Sequence, residues 1–101
     1  MNGTYRISMR TPIGLQNGVI SFIDEGIAIS GSIRAMGNTS YFKNGKASGN
    51  SFEFSGILNT GLLYLRYTAK GIVNGNKLKA TVATSYGTFQ IFGTQISLPI
   101  Q

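Results

Sequence analysis

The fold is decided by a short motif that follows a turn and occurs twice. Residues 49–56 read Gly-Asn-Ser-Phe-Glu-Phe-Ser-Gly, and residues 75–80 read Gly-Asn-Lys-Leu-Lys-Ala. Glycine and asparagine supply the positive backbone φ that tight hairpin turns require. The residues after each turn alternate between apolar and polar, which is the period of a strand with one buried face. Each copy therefore predicts a β-strand that begins immediately after a hairpin turn.

Glycines at similar spacing divide the whole chain in the same way. Turns are predicted at Gly14, Gly26, Gly37, Gly49, Gly61, Gly75 and Gly87. Between them lie eight runs of strand length, near residues 3–10, 15–23, 27–35, 39–46, 51–58, 62–73, 77–84 and 88–97. Two runs and their turn make one hairpin, so the sequence predicts four hairpins that repeat every 25 residues or so.

The predicted fold class is all-β: an eight-stranded antiparallel meander, closed into a small barrel, that forms one domain over residues 1–101. Short connections leave no room for crossover helices, so neighbouring strands are antiparallel. In the third run Ile27, Ile29, Gly31 and Ile33 are predicted to share the inward face. Charged residues make up only 12% of the chain. Closure is favoured because it removes the exposed sheet edges that would make such a chain aggregate.

Composition removes most kinds of catalysis. The chain has no histidine and no cysteine, which excludes the usual zinc sites, cysteine nucleophiles and Ser-His-Asp triads. Of its three acids, Asp24 and Glu25 are adjacent in a predicted turn, so their side chains diverge, and Glu53 stands alone on a polar face. We therefore expect a non-enzymatic protein with no cofactor and no metal site. With no signal peptide and no membrane-spanning segment recognised, a cytoplasmic location is expected.

The opening Asn-Gly-Thr-Tyr of residues 2–5 is similar to the first strand of avidin-like and lipocalin-like barrels. Together with the repeated Gly-Asn hairpins, it makes the chain resemble small up-and-down barrels of the calycin and allene-oxide-cyclase type. The chain also resembles uncharacterised bacterial barrel domains with Thr-Pro-x-Gly turns, here residues 11–14. The resemblance implies the fold. It implies no ligand chemistry, because the chain lacks tryptophan and so has no counterpart to the aromatic walls of the avidin site.

An eight-stranded barrel is just wide enough to be filled by side chains or to hold one small ligand. The leading functional hypothesis is a binding module for a small apolar or anionic molecule at the barrel mouth. The candidate ligand-binding residues are the inward-facing Tyr5, Ile29, Phe52, Phe54 and Phe89. The main alternative is a structural module whose interior is completely filled.

Two further hypotheses concern the outside of the barrel. The run Leu62-Leu63-Tyr64-Leu65-Arg66-Tyr67 is apolar on both faces, which favours a homo-oligomer with Leu62, Tyr64, Leu65 and Tyr67 at the interface. The net charge of +6 favours an anionic partner. Basic residues adjoin aromatic ones at 5–6, 41–43 and 64–67, a pattern compatible with single-stranded nucleic acid. The scattered cations also fit a merely solvated outer face, and this reading is favoured over nucleic-acid binding.

Overall fold

A computed structural model describes residues 2–11, 14–35, 37–59 and 64–97 of the chain. Eight strands follow one another within these ranges, and the described residues contain no helix. The strands are β1 (Gly3–Thr11), β2 (Gly14–Asp24), β3 (Ile29–Ala35), β4 (Asn38–Ser48), β5 (Ser51–Asn59), β6 (Tyr64–Asn74), β7 (Lys77–Thr84) and β8 (Gly87–Ser97). Every predicted run corresponds to one of them. The predicted all-β fold class is confirmed.

The strands form a closed barrel in which each pairs with its neighbours in sequence. All pairings are antiparallel, and β1 closes the barrel by pairing with β8. The predicted meander and its closure are therefore confirmed. The two-residue turns at 49–50 and 75–76 have glycines with φ of 61° and 63°. This is the left-handed conformation for which glycine is selected in tight hairpins.

The core is the inside of the barrel, built from residues that alternate along every strand. Its buried hydrophobic members are Tyr5, Ile7, Met9, Ile20, Phe22, Ile29, Ile33, Ala35, Phe42, Phe52, Phe54, Leu58, Tyr67, Ala69, Leu78, Ala80, Val82 and Ile91. The alternation inferred from the sequence for the first, fifth and seventh runs is thus confirmed. Polar residues occupy most of the positions between them, as the period of two dictates.

The prediction that Ile27 points into the barrel is wrong. Ile27 is 100% exposed because β3 begins only at Ile29. A turn occupies the four residues before it, where Glu25 N donates to Ala28 O at 2.9 Å and Gly26 N donates to Asp24 Oδ1 at 3.1 Å. These bonds satisfy backbone groups locally, so Ile27 lies in the turn and outside the period of the strand.

Candidate functional site

One half of the barrel interior is filled by aromatic rings. We call Tyr5, Phe22, Phe42, Phe52 and Phe54 the aromatic cluster. Phe22 lies at its centre, with ring centroids 5.1–6.0 Å from each of the other four. Phe42 and Phe54 stack with centroids 3.8 Å apart and an interplanar angle of 12°. Such contacts are among the stronger ones available to a core, and they pack this half of the interior as a solid plug.

The cluster also closes the wall between β4 and β5. The paired register of these strands runs only from Lys46↔Glu53 to Ser48↔Ser51. Asn44 adopts a φ of 61° just before this segment. Nearer the start of β4, the contact is made by side chains: Phe42 stacks on Phe54, and Ser40 Oγ accepts a hydrogen bond from Asn59 N at 3.2 Å. The wall is therefore held there by side chains in place of a regular ladder.

The opposite end of the barrel has a different lining. We call it the polar end; it is where β2, β4 and β8 begin and where β3 and β7 end. Its inward positions, assigned from the strand registers, include the half-buried Gln16, Asn38 and Thr84 and the buried Ser40. Small residues occupy further inward positions at this end, namely Gly14, Ala35 and Gly87. Most of the inward aromatic rings thus lie in one half, whereas the polar end combines short polar side chains with the apolar Met9, Leu58, Leu65 and Phe89.

Tyr67 reaches the interior between these two halves. Its side chain is only 5% exposed, and its ring lies 5.9 Å from that of Phe54 in an edge-on geometry. The hydroxyl is buried and has no hydrogen-bond partner among the described residues. Burial raises the pKa of the Tyr67 phenol well above its usual value of 10.0, because the charged form would lose its hydration. Tyr67 therefore presents a neutral, unpaired donor to the interior.

The ring of Tyr67 is seated on Gly56, which faces it across the β5–β6 ladder. A Cβ atom at Gly56 would stand 2.9 Å from Tyr67 Oη, closer than van der Waals contact allows. Glycine on the apolar face of β5 thus makes room for the tyrosine. A glycine inside a strand commonly marks such a close approach.

The structure divides the five candidate ligand-binding residues between the two halves. Tyr5, Phe52 and Phe54 belong to the aromatic cluster, and Ile29 is fully buried. Phe89, in contrast, is only partly buried and packs against the core near the start of β8. All five face inward as predicted. The first four are engaged in packing, whereas Phe89 adjoins the polar end.

The candidate interface residues do not share a face. Tyr64 is 75% exposed, Leu65 is partly buried against the core, and Tyr67 lies inside the barrel. Leu62 lies outside the described residues. In its described part the run has apolar residues on both faces, with Tyr64 outside and Leu65 and Tyr67 together on the inward side. Self-association stays a prediction, and among the described members of the set only Tyr64 is exposed to a second copy.

Sequence reasoning missed the polar end and the role of Tyr67. The apolar run before Tyr67 hid its register, although counting in steps of two from Leu65 places it inward. Polar side chains on the inner face of a barrel carry no distinctive pattern, so nothing in the sequence distinguished Ser40 and Thr84 as candidate site residues. Steps of two from the buried Phe42 and Val82 place both on the inward face, where their partners are the inward Ile33 and Tyr67.

The outer wall has two open grooves, of about 520 and 490 Å³. Ser55 and Thr68 share a hydrogen bond of 3.0 Å in the first, and the second passes beside Glu53 and Lys70. Ligand sites normally enclose most of their ligand, and neither open groove does so. In the described ranges no three Asp, Glu, His or Cys residues stand close enough to hold a metal ion. Those ranges also contain no helix long and apolar enough to cross a membrane.

Comparisons with known proteins support the fold. No known protein family matches the chain, and no curated protein matches it in sequence. The solved structures that are similar in shape include two redesigned β-barrels. One has a TM-score of 0.75 at 12% identity over 95% of this chain and 91% of its own. The other, mFAP1 bound to DFHBI, has a TM-score of 0.74 at 14% identity over 95% and 94%. At such low identity, the likeness establishes a small closed eight-stranded barrel.

Proposed function

We propose that this chain is a binding module for a small, largely apolar molecule that enters the barrel at the polar end. The ligand carries a hydrogen-bond acceptor, neutral or anionic, to which the Tyr67 hydroxyl donates. Leu65 and Phe89, both partly buried against the core, supply apolar contacts beside it. The aromatic cluster closes the other half of the interior and sets the depth that the ligand reaches. We further propose that the barrel is of the calycin-like type suggested by its Asn-Gly-Thr-Tyr opening.

The observation that carries this proposal is the unpaired hydroxyl of Tyr67. A buried donor without a partner costs about 1–3 kcal/mol, and nearly all buried polar groups in folded proteins are paired. Phenylalanine would fill the same space without that cost. A tyrosine at this position is therefore best explained by an acceptor that is supplied from outside the chain.

The comparison structures support the capacity of this architecture to hold a ligand. mFAP1 is a redesigned β-barrel that this chain matches over 94% of its length, and its structure is that of a complex with the small molecule DFHBI. The support concerns the architecture alone, since a fold by itself does not imply a function. The residues that would bind a ligand here are this chain's own.

We propose that the module is non-enzymatic. The chain has no histidine or cysteine, and its carboxylates do not meet at the polar end. Asp24 is the last residue of β2, at the opposite end of the barrel, and Glu53 is exposed on the outer wall of β5. Tyr67, with its raised pKa, is a hydrogen-bond donor and a poor general base at neutral pH.

The test is a titration with two probes, DFHBI and anilinonaphthalene sulfonate, followed by fluorescence and by the shift in thermal midpoint. The Tyr67→Phe variant should fold, because it removes only the unpaired hydroxyl, and should bind more weakly by about tenfold, the value of one neutral hydrogen bond. Tyr5→Phe is the matched control, since Tyr5 is an equally buried tyrosine of the aromatic cluster. It should bind as the unmodified chain does.

Binding that is equal in the two variants would place the ligand away from Tyr67 and overturn the assignment of the site. Absence of binding by both probes, in the unmodified chain and at concentrations up to their solubility, would indicate a filled barrel with a structural role.

A further inference from the structure

Phe92 is an aromatic side chain on the outer wall that the core does not use. It lies on β8 and is 48% exposed. Its direct cross-strand partners are Lys79 on β7 and Ser8 on β1. Since β8 is enclosed by these two strands, Phe92 stands in the middle of a three-stranded outer surface. We call this surface, made of β7, β8 and β1, the Phe92 face.

Four cations occupy outer-face positions on the two strands beside Phe92. Lys79 is directly opposite, where side chains of paired residues approach to roughly 5 Å. Lys77 is diagonal to it on β7, and its Nζ donates to Thr94 Oγ1 at 3.3 Å, which draws it over β8. Arg6 and Arg10 flank Ser8 at two residues on either side, on the same face of β1. Diagonal neighbours of this kind are roughly 7–8 Å apart.

The Phe92 face carries no acid on its described strands, Gly3–Thr11, Lys77–Thr84 and Gly87–Ser97. The three acids of the chain lie elsewhere. Glu53 of β5 is the register partner of Lys46 on β4 and of Lys70 on β6, on a different part of the wall. Asp24 is the last residue of β2, and Glu25 follows it. The positive charge of the Phe92 face is thus uncompensated, which favours an anionic partner.

We propose that the Phe92 face binds single-stranded nucleic acid, with one base stacked on Phe92 and the flanking phosphates held by Lys77 and Lys79 on one side and Arg6 and Arg10 on the other. β7 and β1 are two strand spacings apart, or roughly 10 Å, so cations are available on both sides of the stacked base. Such a combination of ring and cations is how single strands are bound on open sheets. A duplex fits poorly because its bases are already stacked and do not reach a convex wall.

This inference is independent of the polar end, because the Phe92 face is outside the barrel and the proposed ligand of Tyr67 is inside. It also uses a ring, Phe92, that lies outside the pattern considered in the sequence at residues 5–6, 41–43 and 64–67. Aromatic and basic residues that are adjacent in a strand point to opposite faces, so Tyr5 lies in the core while Arg6 lies outside. The ring and the cations of the Phe92 face are brought together by cross-strand pairing.

The experiment measures the fluorescence anisotropy of a labelled single-stranded oligonucleotide at salt concentrations from 50 to 200 mM. With four phosphate contacts, the affinity should fall by roughly fiftyfold across this range. Phe92→Ala should weaken binding by about tenfold or more, and Phe92→Tyr should retain it. Lys79→Gln should lower the slope of log affinity against log salt by about 0.7.

Matched controls lie on other parts of the wall. Tyr41→Ala removes an aromatic side chain that is 78% exposed on β4, and Lys46→Gln removes a cation beside Glu53. Neither should change binding by more than about twofold, and melting curves verify that every variant is folded. The proposal is overturned if the oligonucleotide does not bind at 50 mM salt. It is also overturned if Phe92→Ala and Tyr41→Ala weaken binding equally, or if heparin binds as tightly and with no dependence on Phe92.

Discussion

The phenol ring of Tyr67 covers the backbone of Gly56, its direct partner across the β5–β6 ladder. A Cβ atom at Gly56 would lie 2.9 Å from Oη and 3.2 Å from Cζ of the ring. Aromatic cover of a glycine in a neighbouring strand is a known stabilising device in sheets. The same contact fixes the position of the unpaired Tyr67 hydroxyl. The packing of β5 on β6 and the geometry of the candidate site therefore both depend on Gly56 and Tyr67.

Replacing Gly56 by alanine should destabilise the barrel by about 1–3 kcal/mol, because the new methyl group overlaps the Tyr67 ring. Urea denaturation measures the change in the free energy of unfolding. Ser51→Ala, at an exposed position of the same strand, is the control and should stay within about 0.5 kcal/mol of the unmodified chain. Equal stability of the two variants would show that the ring moves aside without cost.

Gly31→Ala should be more damaging, with a loss of about 3 kcal/mol or more. A Cβ atom there would overlap the carbonyl oxygen of Ser21, which is a backbone atom of the neighbouring strand, and would meet Phe42 Cζ at 2.8 Å. Unlike a ring, a paired strand cannot rotate away. Thermal denaturation compares this variant with Ser30→Ala on the same strand. A Gly31→Ala protein that melts like this control would contradict the close approach of β2 and β3.

Truncation to alanine should affect stability strongly at Phe54 and hardly at all at Phe92. Phe54→Ala should lose about 3–5 kcal/mol, because Phe54 contacts Phe22, Phe42, Phe52 and Tyr67. Phe92→Ala should change stability by no more than about 0.5 kcal/mol, since its ring is on the outer wall. Both are measured by urea denaturation. A large loss of stability in Phe92→Ala would show that Phe92 has a structural role, and its exposure would then not indicate a binding partner.

Stability should fall as the pH rises above 10. Burial raises the pKa of Tyr67 in the folded chain, so above its unfolded value of 10.0 the unfolded chain releases a proton that the folded chain retains. The contribution of Tyr67 is fully present below pH 10 and declines by roughly 1.4 kcal/mol per pH unit above it. Burial raises the pKa of Tyr5 in the same direction.

The difference between the unmodified chain and Tyr67→Phe isolates this contribution from the titration of lysines. Urea denaturation at pH 9, 10 and 11 should show a smaller loss for Tyr67→Phe than for the unmodified chain. Parallel curves for the two proteins would mean that the Tyr67 hydroxyl is in contact with solvent.

The sequence by itself determined the class of fold, the number of strands and their order. Turn chemistry is local, since a positive φ at Gly49 or Gly75 is required by the two-residue turn that contains it. Alternation is local as well, and it placed Tyr5, Ile29, Phe52 and Phe54 on the inward face. Alternation failed at Ile27, because the turn before β3 is longer than the pattern of apolar residues suggested. The hydrogen bonds inside that turn cannot be inferred from the spacing of apolar residues.

Only the tertiary structure decided which residues meet. The stack of Phe42 on Phe54, the cover of Gly56 by Tyr67 and the cations around Phe92 all join residues on different strands. Their contacts depend on strand register and on barrel closure. Both result from many weak pairing preferences along the whole chain, and no short stretch of sequence reveals them. Local alternation placed the five candidate ligand residues on the inward face. It could not show which of them lie in the filled aromatic half and which lie near the polar end, because that depends on register.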